Sequence, residues 1–224
     1  MFSTRPAVLY DADAGKSMSQ GLRLDQLACT RGSRCLFTEL SLDVKAGQLL
    51  RVRGVNGAGK TSLLRMLCGL LLPTSGQVLW DGRPLAAQRE QLGQDLMYLG
   101  HAAALKDELS PLENLVDACA MGGRTPGTGA VLAALKGAGL RGHERTPARR
   151  LSQGQRRRSA LARLALSQTA KLWILDEPFN ALDTAANAWL TALIEAHLNN
   201  SGIVVLTSHQ DTPIKASSQL DLAL

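Results

Sequence analysis

Gly54-Val55-Asn56-Gly57-Ala58-Gly59-Lys60-Thr61 meets the pattern G-x-x-x-x-G-K-[ST] at each of its fixed positions. Glycines let a backbone curl around a phosphate chain without Cβ clashes. Successive N–H groups then point inward, and a helix starting at the loop adds its positive end. Lys60 is placed to reach β- and γ-phosphates, and Thr61 to offer a hydroxyl to a magnesium ion, with Ser62 beside it. Gln48 to Arg53 reads as a strand entering the loop, and Ser62 to Cys68 as a helix leaving it with Leu63, Leu64 and Leu67 on one face. A Gly-rich turn between strand and helix is the plainer alternative, and the flanking elements weigh against it. A second match, Gly15-Lys16-Ser17, lacks the leading glycine because Tyr10 stands there.

A chain of 224 residues suits one α/β domain with a possible small subdomain, and 45% hydrophobic residues supply a core. The apolar runs are shorter than a membrane span, and Leu63 to Leu72, interrupted by Arg65, reads as a buried helix. The N-terminus shows no apolar signal-peptide core, so the expected compartment is the cytoplasm. Cys29, Cys35, Cys68 and Cys119 are widely spaced and suit buried free thiols rather than disulfides or zinc. The net charge of +6 fits ATP, nucleic acid or an anionic membrane surface and selects none of them.

Residues 1–20 show no periodicity and read as a loose extension ahead of one domain over 21–224. Strands are expected at Leu22 to Cys29, Leu40 to Val44, Gln77 to Trp80 and Leu96 to Leu99. Helical patterns around Pro111 to Leu115 and Val131 to Leu135 suggest a helical subdomain over about residues 105–150. A helix is expected from Gln155 to about Ser167, a buried strand from Lys171 to Leu175, a helix from Ala185 to His197 and a last core strand from Ile203 to Thr207.

Asp176 ends an apolar strand in the same chain as the phosphate loop, where a carboxylate can hold the magnesium. Glu177 beside it is placed to polarise an attacking water. Leu151-Ser152-Gln153-Gly154-Gln155 offers a hydroxyl, a glycine and a helix N-terminus, which make either a second anion site or an ordinary helix cap. His209 follows the last strand, at the edge of a parallel sheet where ligands bind. Asn180 to Asp183 follows the acidic pair.

This set, in this order, resembles the ATP-binding-cassette (ABC) ATPase domain over roughly residues 22–211. The resemblance implies a P-loop NTPase core of α/β class with a mostly parallel sheet, an N-terminal antiparallel β-subdomain and an inserted helical subdomain. It implies that Gly54, Asn56, Gly57, Ala58, Gly59, Lys60, Thr61 and Ser62 hold ATP, that Thr61 and Asp176 hold Mg2+, and that Glu177 and His209 take part in hydrolysis. It also implies a head-to-tail homodimer in the ATP-bound state, with Ser152, Gly154 and Gln155 of one subunit closing on ATP held by the other.

Two positions depart from the family. Arg31 stands where an aromatic residue usually stacks on adenine, and a guanidinium can stack on a base too. Gly100-His101 stands where a glutamine usually meets the metal and the attacking water, and His101 could take part of that role. With Leu36-Phe37, Glu113-Asn114-Leu115 and Leu206 to Gln210, these features look like the ATP-binding subunits of bacterial cytochrome c maturation systems. That resemblance implies an integral membrane permease subunit, a haem-handling membrane protein and a periplasmic haem chaperone as partners. It implies a peripheral place on the cytoplasmic side of the inner membrane, and ATP hydrolysis linked to chaperone release or haem export. The ATPase of another ABC transporter is the nearest alternative, and a soluble nucleic-acid ABC protein a distant one. The arginines at 145, 149, 150, 156, 157, 158 and 163 read as a solvated, ATP-attracting surface rather than a nucleic-acid patch, because no aromatic residues interleave them.

Overall fold

The computed structural model describes residues 21–208 and 214–224. Its elements in chain order are β1 (Gly21–Arg31), β2 (Arg34–Lys45), β3 (Gln48–Arg53), α1 (Lys60–Leu67), β4 (Ser75–Trp80), β5 (Arg83–Pro84), α2 (Arg89–Asp95), β6 (Leu96–Leu99), α3 (Pro111–Met121), α4 (Thr128–Gly137), α5 (Gln153–Leu161), β7 (Leu172–Leu175), α6 (Thr184–Asn199), β8 (Ile203–Thr207) and β9 (Ser218–Ala223). They make a four-stranded antiparallel sheet, order β2-β1-β4-β5, and a five-stranded parallel sheet, order β6-β7-β8-β3-β9. The expected α/β class, with an antiparallel N-terminal part and a mostly parallel core, is what forms.

The parallel strands read as unbroken apolar runs because both faces are covered. Side chains still alternate. Leu50, Val52, Ile174 and Val205 pack toward α1 and the antiparallel sheet. Leu49, Trp173, Leu175, Val204 and Leu206 pack toward α6. Each large aliphatic side chain buried this way contributes about 1.5–3 kcal/mol relative to exposure. A third cluster joins Leu115 of α3, Val131 and Leu135 of α4, and Ala162 just after α5.

Several boundaries differ from the sequence expectation. The apolar run Leu63 to Leu72 is not one helix, since α1 stops at Leu67 and Leu70 and Leu72 are exposed. Gly69 at φ +69 ends it, with its N–H on the Met66 carbonyl and the Leu70 N–H on the Arg65 carbonyl, a Schellman stop. The helix expected to run to Ser167 is α5 as far as Leu161 and then a 3-10 segment, Ala162–Leu166. The core strand Ile203–Thr207 forms as expected, and beyond it β9, for which the sequence reading had no strand, adds to the edge of β3. Of the four cysteines only Cys29, Cys68 and Cys119 are buried, and Cys35 is exposed beside the β1–β2 turn. The N-terminal extension lies outside the described residues. Among the described residues no helix is long and apolar enough to cross a membrane.

One buried group sets a pH limit on this fold. His197 of α6 stacks on Trp173 with ring centroids 3.9 Å apart and planes 7° from parallel. Burial pushes its imidazole from the ordinary 6.5 down to about 4. The fold therefore holds His197 neutral while the unfolded chain protonates it near pH 6.5, so stability is intact above that pH and is lost as pH falls toward 4. The expected difference is on the order of 3 kcal/mol. Urea unfolding from pH 7 to 4.5 is expected to show an acid limb that flattens in His197→Phe, which keeps the stack; equal slopes in the two proteins would refute the assignment.

Candidate functional site

The phosphate loop leaves the C-terminal end of β3, in the middle of the parallel sheet, where ligands bind in such folds. It enters α1 through Gly59, whose φ of +113 is strained for any residue with a Cβ, and a Cβ there would also press on Leu36 at 3.2 Å and Phe37 at 3.3 Å. No side chain caps α1 and its first turn carries no acid, so its N-terminal N–H groups face the loop as an anion site. Lys60 is buried, and its Nζ donates to the carbonyls of Gly54 at 2.7 Å and Val55 at 3.3 Å. The ammonium is thus held at the loop rather than free in solvent.

The acidic pair meets this loop. The Thr61 hydroxyl donates to Asp176 Oδ2 at 3.0 Å, and the Thr207 hydroxyl donates to Asp176 Oδ1 at 2.8 Å. The same Thr207 oxygen accepts from the Glu177 N–H at 2.8 Å. Asp176 and Glu177 are both buried, and Glu177 adopts φ +49, a left-handed conformation costly for a residue with a Cβ. A hydroxyl and a carboxylate 3.0 Å apart are hard oxygen donors of the kind that a small divalent cation takes alongside phosphate.

Beneath the pair lies Arg157 of α5. Its Nη1 donates to the carbonyls of Gly100 at 2.9 Å and His101 at 3.0 Å, and its Nη2 to those of Asp176 and Glu177, both at 2.8 Å. Burial draws this guanidinium down from its ordinary range, and the Asp176 and Glu177 carboxylates oppose the shift.

The phosphate loop and the acidic pair wall an open pocket of about 460 Å³. It brings together Asn56, Gly57, Gly59, Lys60, Thr61 and Ser62 with His101, Asp176, Glu177 and Asn180. Gly54 and Ala58 belong to the loop but do not line the pocket. Arg31 does not line it; it sits on the exposed tip of the β1–β2 hairpin, paired with Arg34. Ser152, Gly154 and Gln155 do not line it either. Ser152 caps α5, accepting from the Gln155 N–H while Gln155 accepts from the Ser152 N–H. His209 lies outside the described residues.

Two positions escaped the sequence reading. Thr207 was legible in principle, as a hydroxyl at the end of a buried strand next to Asp176. Arg157 was not, because its burial is hidden in a run of arginines. The expectation of a solvated arginine surface is corrected here: Arg157 is buried, and Arg156, Arg158 and Arg163 are only partly exposed. Arg156 pairs with Asp107 at 2.7 Å and Arg158 with Asp183 at 3.6 Å.

The model of the ABC transporter family matches residues 37–180. The chain belongs to the ABC transporter family. The cytochrome c biogenesis ATP-binding export protein CcmA of Aromatoleum aromaticum is 54% identical over 187 residues, covering 84% of this chain and 87% of that protein. The protein of the same name from Dechloromonas aromatica is 47% identical over 203 residues, covering 91% and 99%. Among solved structures, a putative ABC transporter ATP-binding protein from Pyrococcus furiosus matches with a TM-score of 0.78 at 22% identity, over 91% of this chain and 98% of that one. An ATP-binding cassette solved as a dimer with ADP and Pi matches with a TM-score of 0.76 at 22% identity, over 90% and 94%. This ABC fold places the loop and the acidic pair on one sheet edge, as described above.

Thr207→Val keeps the shape of the side chain and removes its hydroxyl, leaving the buried Glu177 N–H and Asp176 Oδ1 each short of a partner. Stability is expected to fall by about 1–3 kcal/mol. Steady-state ATPase assays are expected to show kcat down by roughly tenfold or more with KM for ATP little changed, and Thr207→Ser to recover most of the rate. A Val variant with normal kcat would remove Thr207 from the hydrolysis centre.

Proposed function

We propose that this chain is the ATP-hydrolysing subunit of a membrane ABC complex for c-type cytochrome biogenesis, coupling hydrolysis to haem handling. The 54% identity to a cytochrome c biogenesis ATP-binding export protein carries the assignment to that process. The juxtaposition of Lys60, Thr61, Asp176 and Glu177 around one pocket supports the chemistry.

In this proposal the N–H groups of the loop and the Lys60 ammonium hold the β- and γ-phosphates of ATP. Mg2+ between Thr61 and Asp176 would offset charge on those phosphates. Glu177 orients the attacking water and receives its proton, and His101 and His209 contact the γ-phosphate region. Arg31 lies against the adenine from the hairpin tip. Ser152, Gly154 and Gln155 serve a second copy: Ser152 is exposed, none of the three lines the chain's own pocket, and together they make a capped helix N-terminus able to meet a phosphate. Two copies would close head-to-tail around two ATP molecules and reopen after hydrolysis.

The membrane partners follow from the same proposal: an integral membrane permease subunit and a haem-handling membrane protein, with a periplasmic haem chaperone downstream. The chain would sit on the cytoplasmic side of the inner membrane. A groove of about 430 Å³ between β6 and α3, reaching Tyr98, Ala104, Asn114, Met121 and Arg124, is the proposed seat for the permease. Met121 beside it is 83% exposed, an apolar contact suited to burial by a partner.

Cells whose only copy carries Glu177→Gln test the proposal through covalent haem in c-type cytochromes and haem trapped on the periplasmic chaperone. Loss of c-type cytochromes is expected. Accumulation of haem-loaded chaperone would assign the energy to chaperone release, and its absence to haem supply or export. Normal c-type cytochromes in these cells would overturn the assignment to this process.

A further inference from the structure

We propose that Arg157 is a positioning residue that fastens α5, the helix capped by Ser152, to the hydrolysis centre of its own subunit, so that the two nucleotide sites of the closed dimer act in step. The inference rests on the head-to-tail dimer proposed above and adds the path by which one site senses the other.

The parallel ladder between β6 and β7 ends with the Asp176 N–H on the Leu99 carbonyl at 2.8 Å. Beyond that rung the two chains part, toward Gly100-His101 on one side and Asp176-Glu177 on the other. The Arg157 guanidinium fills the gap and takes two carbonyls from each. It is 7% exposed, and its Nε has no partner, so its whole grip passes through the two Nη groups. A flat fork with fixed donor directions is what four carbonyls in two pairs require. An ammonium is a point donor with no fork, and a glutamine amide offers only two N–H bonds.

The N-terminal end of α5, about one turn before Arg157, carries Ser152 and Gly154. One short, capped helix therefore holds the groups offered to the second copy's nucleotide and the clamp on this copy's Glu177. The start of α5 also lies close to the segment that follows the acidic pair: a Cβ added at Gly154 would come within 3.1 Å of the Ala181 carbonyl oxygen. Arg158 adds a link to Asp183, the residue that caps α6. Movement of Ser152 toward a phosphate therefore shifts the carbonyls of His101 and Glu177. Displacements of about an ångström at a reacting centre change rates on the order of 10²-fold.

The test uses the membrane complex isolated through a tag on this chain, with Arg157→Gln and Arg157→Lys compared to the unmodified complex. For Arg157→Gln the expected result is kcat down at least about tenfold, KM for ATP within about threefold, and a Hill coefficient for ATP falling toward one. Arg157→Lys, which keeps the charge without the fork, is expected to fall in the same way while its melting temperature stays closer to that of the unmodified complex. Loss of stability with an unchanged Hill coefficient in both variants would reduce Arg157 to a core residue and overturn the proposal. So would an unchanged kcat in Arg157→Gln. An unmodified complex that itself shows no cooperativity and no ATP-dependent dimer would refute the dimer reading instead, a result separable from failure of the variants alone.

Discussion

The carboxylate of Asp176 is held by two hydroxyls from opposite directions, Thr61 of the phosphate-loop helix and Thr207 of β8. Three segments far apart in sequence meet at this one group, with 115 residues between Thr61 and Asp176 and 31 between Asp176 and Thr207. They can meet because β7 lies beside β8 and β8 beside β3, all parallel, so the ends of all three strands open on the same edge. The apolar interior of the sheet serves this convergence. Leu49, Trp173, Val204 and their neighbours hold the strands in register, and register decides which residue emerges at the edge.

Much of this was legible because the chemistry needs uncommon residues in fixed places. The loop from Gly54 to Thr61 states its own conformation, and the buried run Leu172 to Leu175 followed by two acids states where the partner strand ends. The capping pair Ser152 and Gln155 is likewise local. What was lost is non-local or depends on a single residue. Leu70 and Leu72 continue an apolar run, yet one glycine at 69 turns the chain and leaves them exposed. β9 is short, half polar and an edge strand, so its alternation is weak; it forms because β3 offers an unpaired side.

Arg157 marks a deeper limit. Seven arginines cluster around the segment Leu151 to Gln155, and composition makes them equivalent. Structure separates them: Arg149 meets Glu108 at the surface, Arg156 meets Asp107, and Arg157 turns inward onto carbonyls. A cation goes inward only where acceptors repay its dehydration, and four carbonyls with two carboxylates nearby do so. Nothing in the run itself reports those acceptors, because they belong to loops at residues 100–101 and 176–177. Arg31, outside that run, stays at the exposed hairpin tip opposite another arginine, the position from which it is proposed to meet the base.

Glu177 shows how distant groups can position a reactive side chain through its main chain. Thr207 holds its N–H and Arg157 its carbonyl, so both grips act on the main chain. Together they sustain a backbone angle of φ +49 that an isolated glutamate would rarely adopt. With the backbone fixed in this way, Glu177 lines the pocket. Changing the carboxylate to an amide leaves both main-chain grips in place, so loss of hydrolysis in that variant reports chemistry. Changing Thr207 or Arg157 leaves the carboxylate and disturbs its direction, so loss of hydrolysis there reports geometry. The two kinds of variant separate what the general base does from what the fold does to aim it.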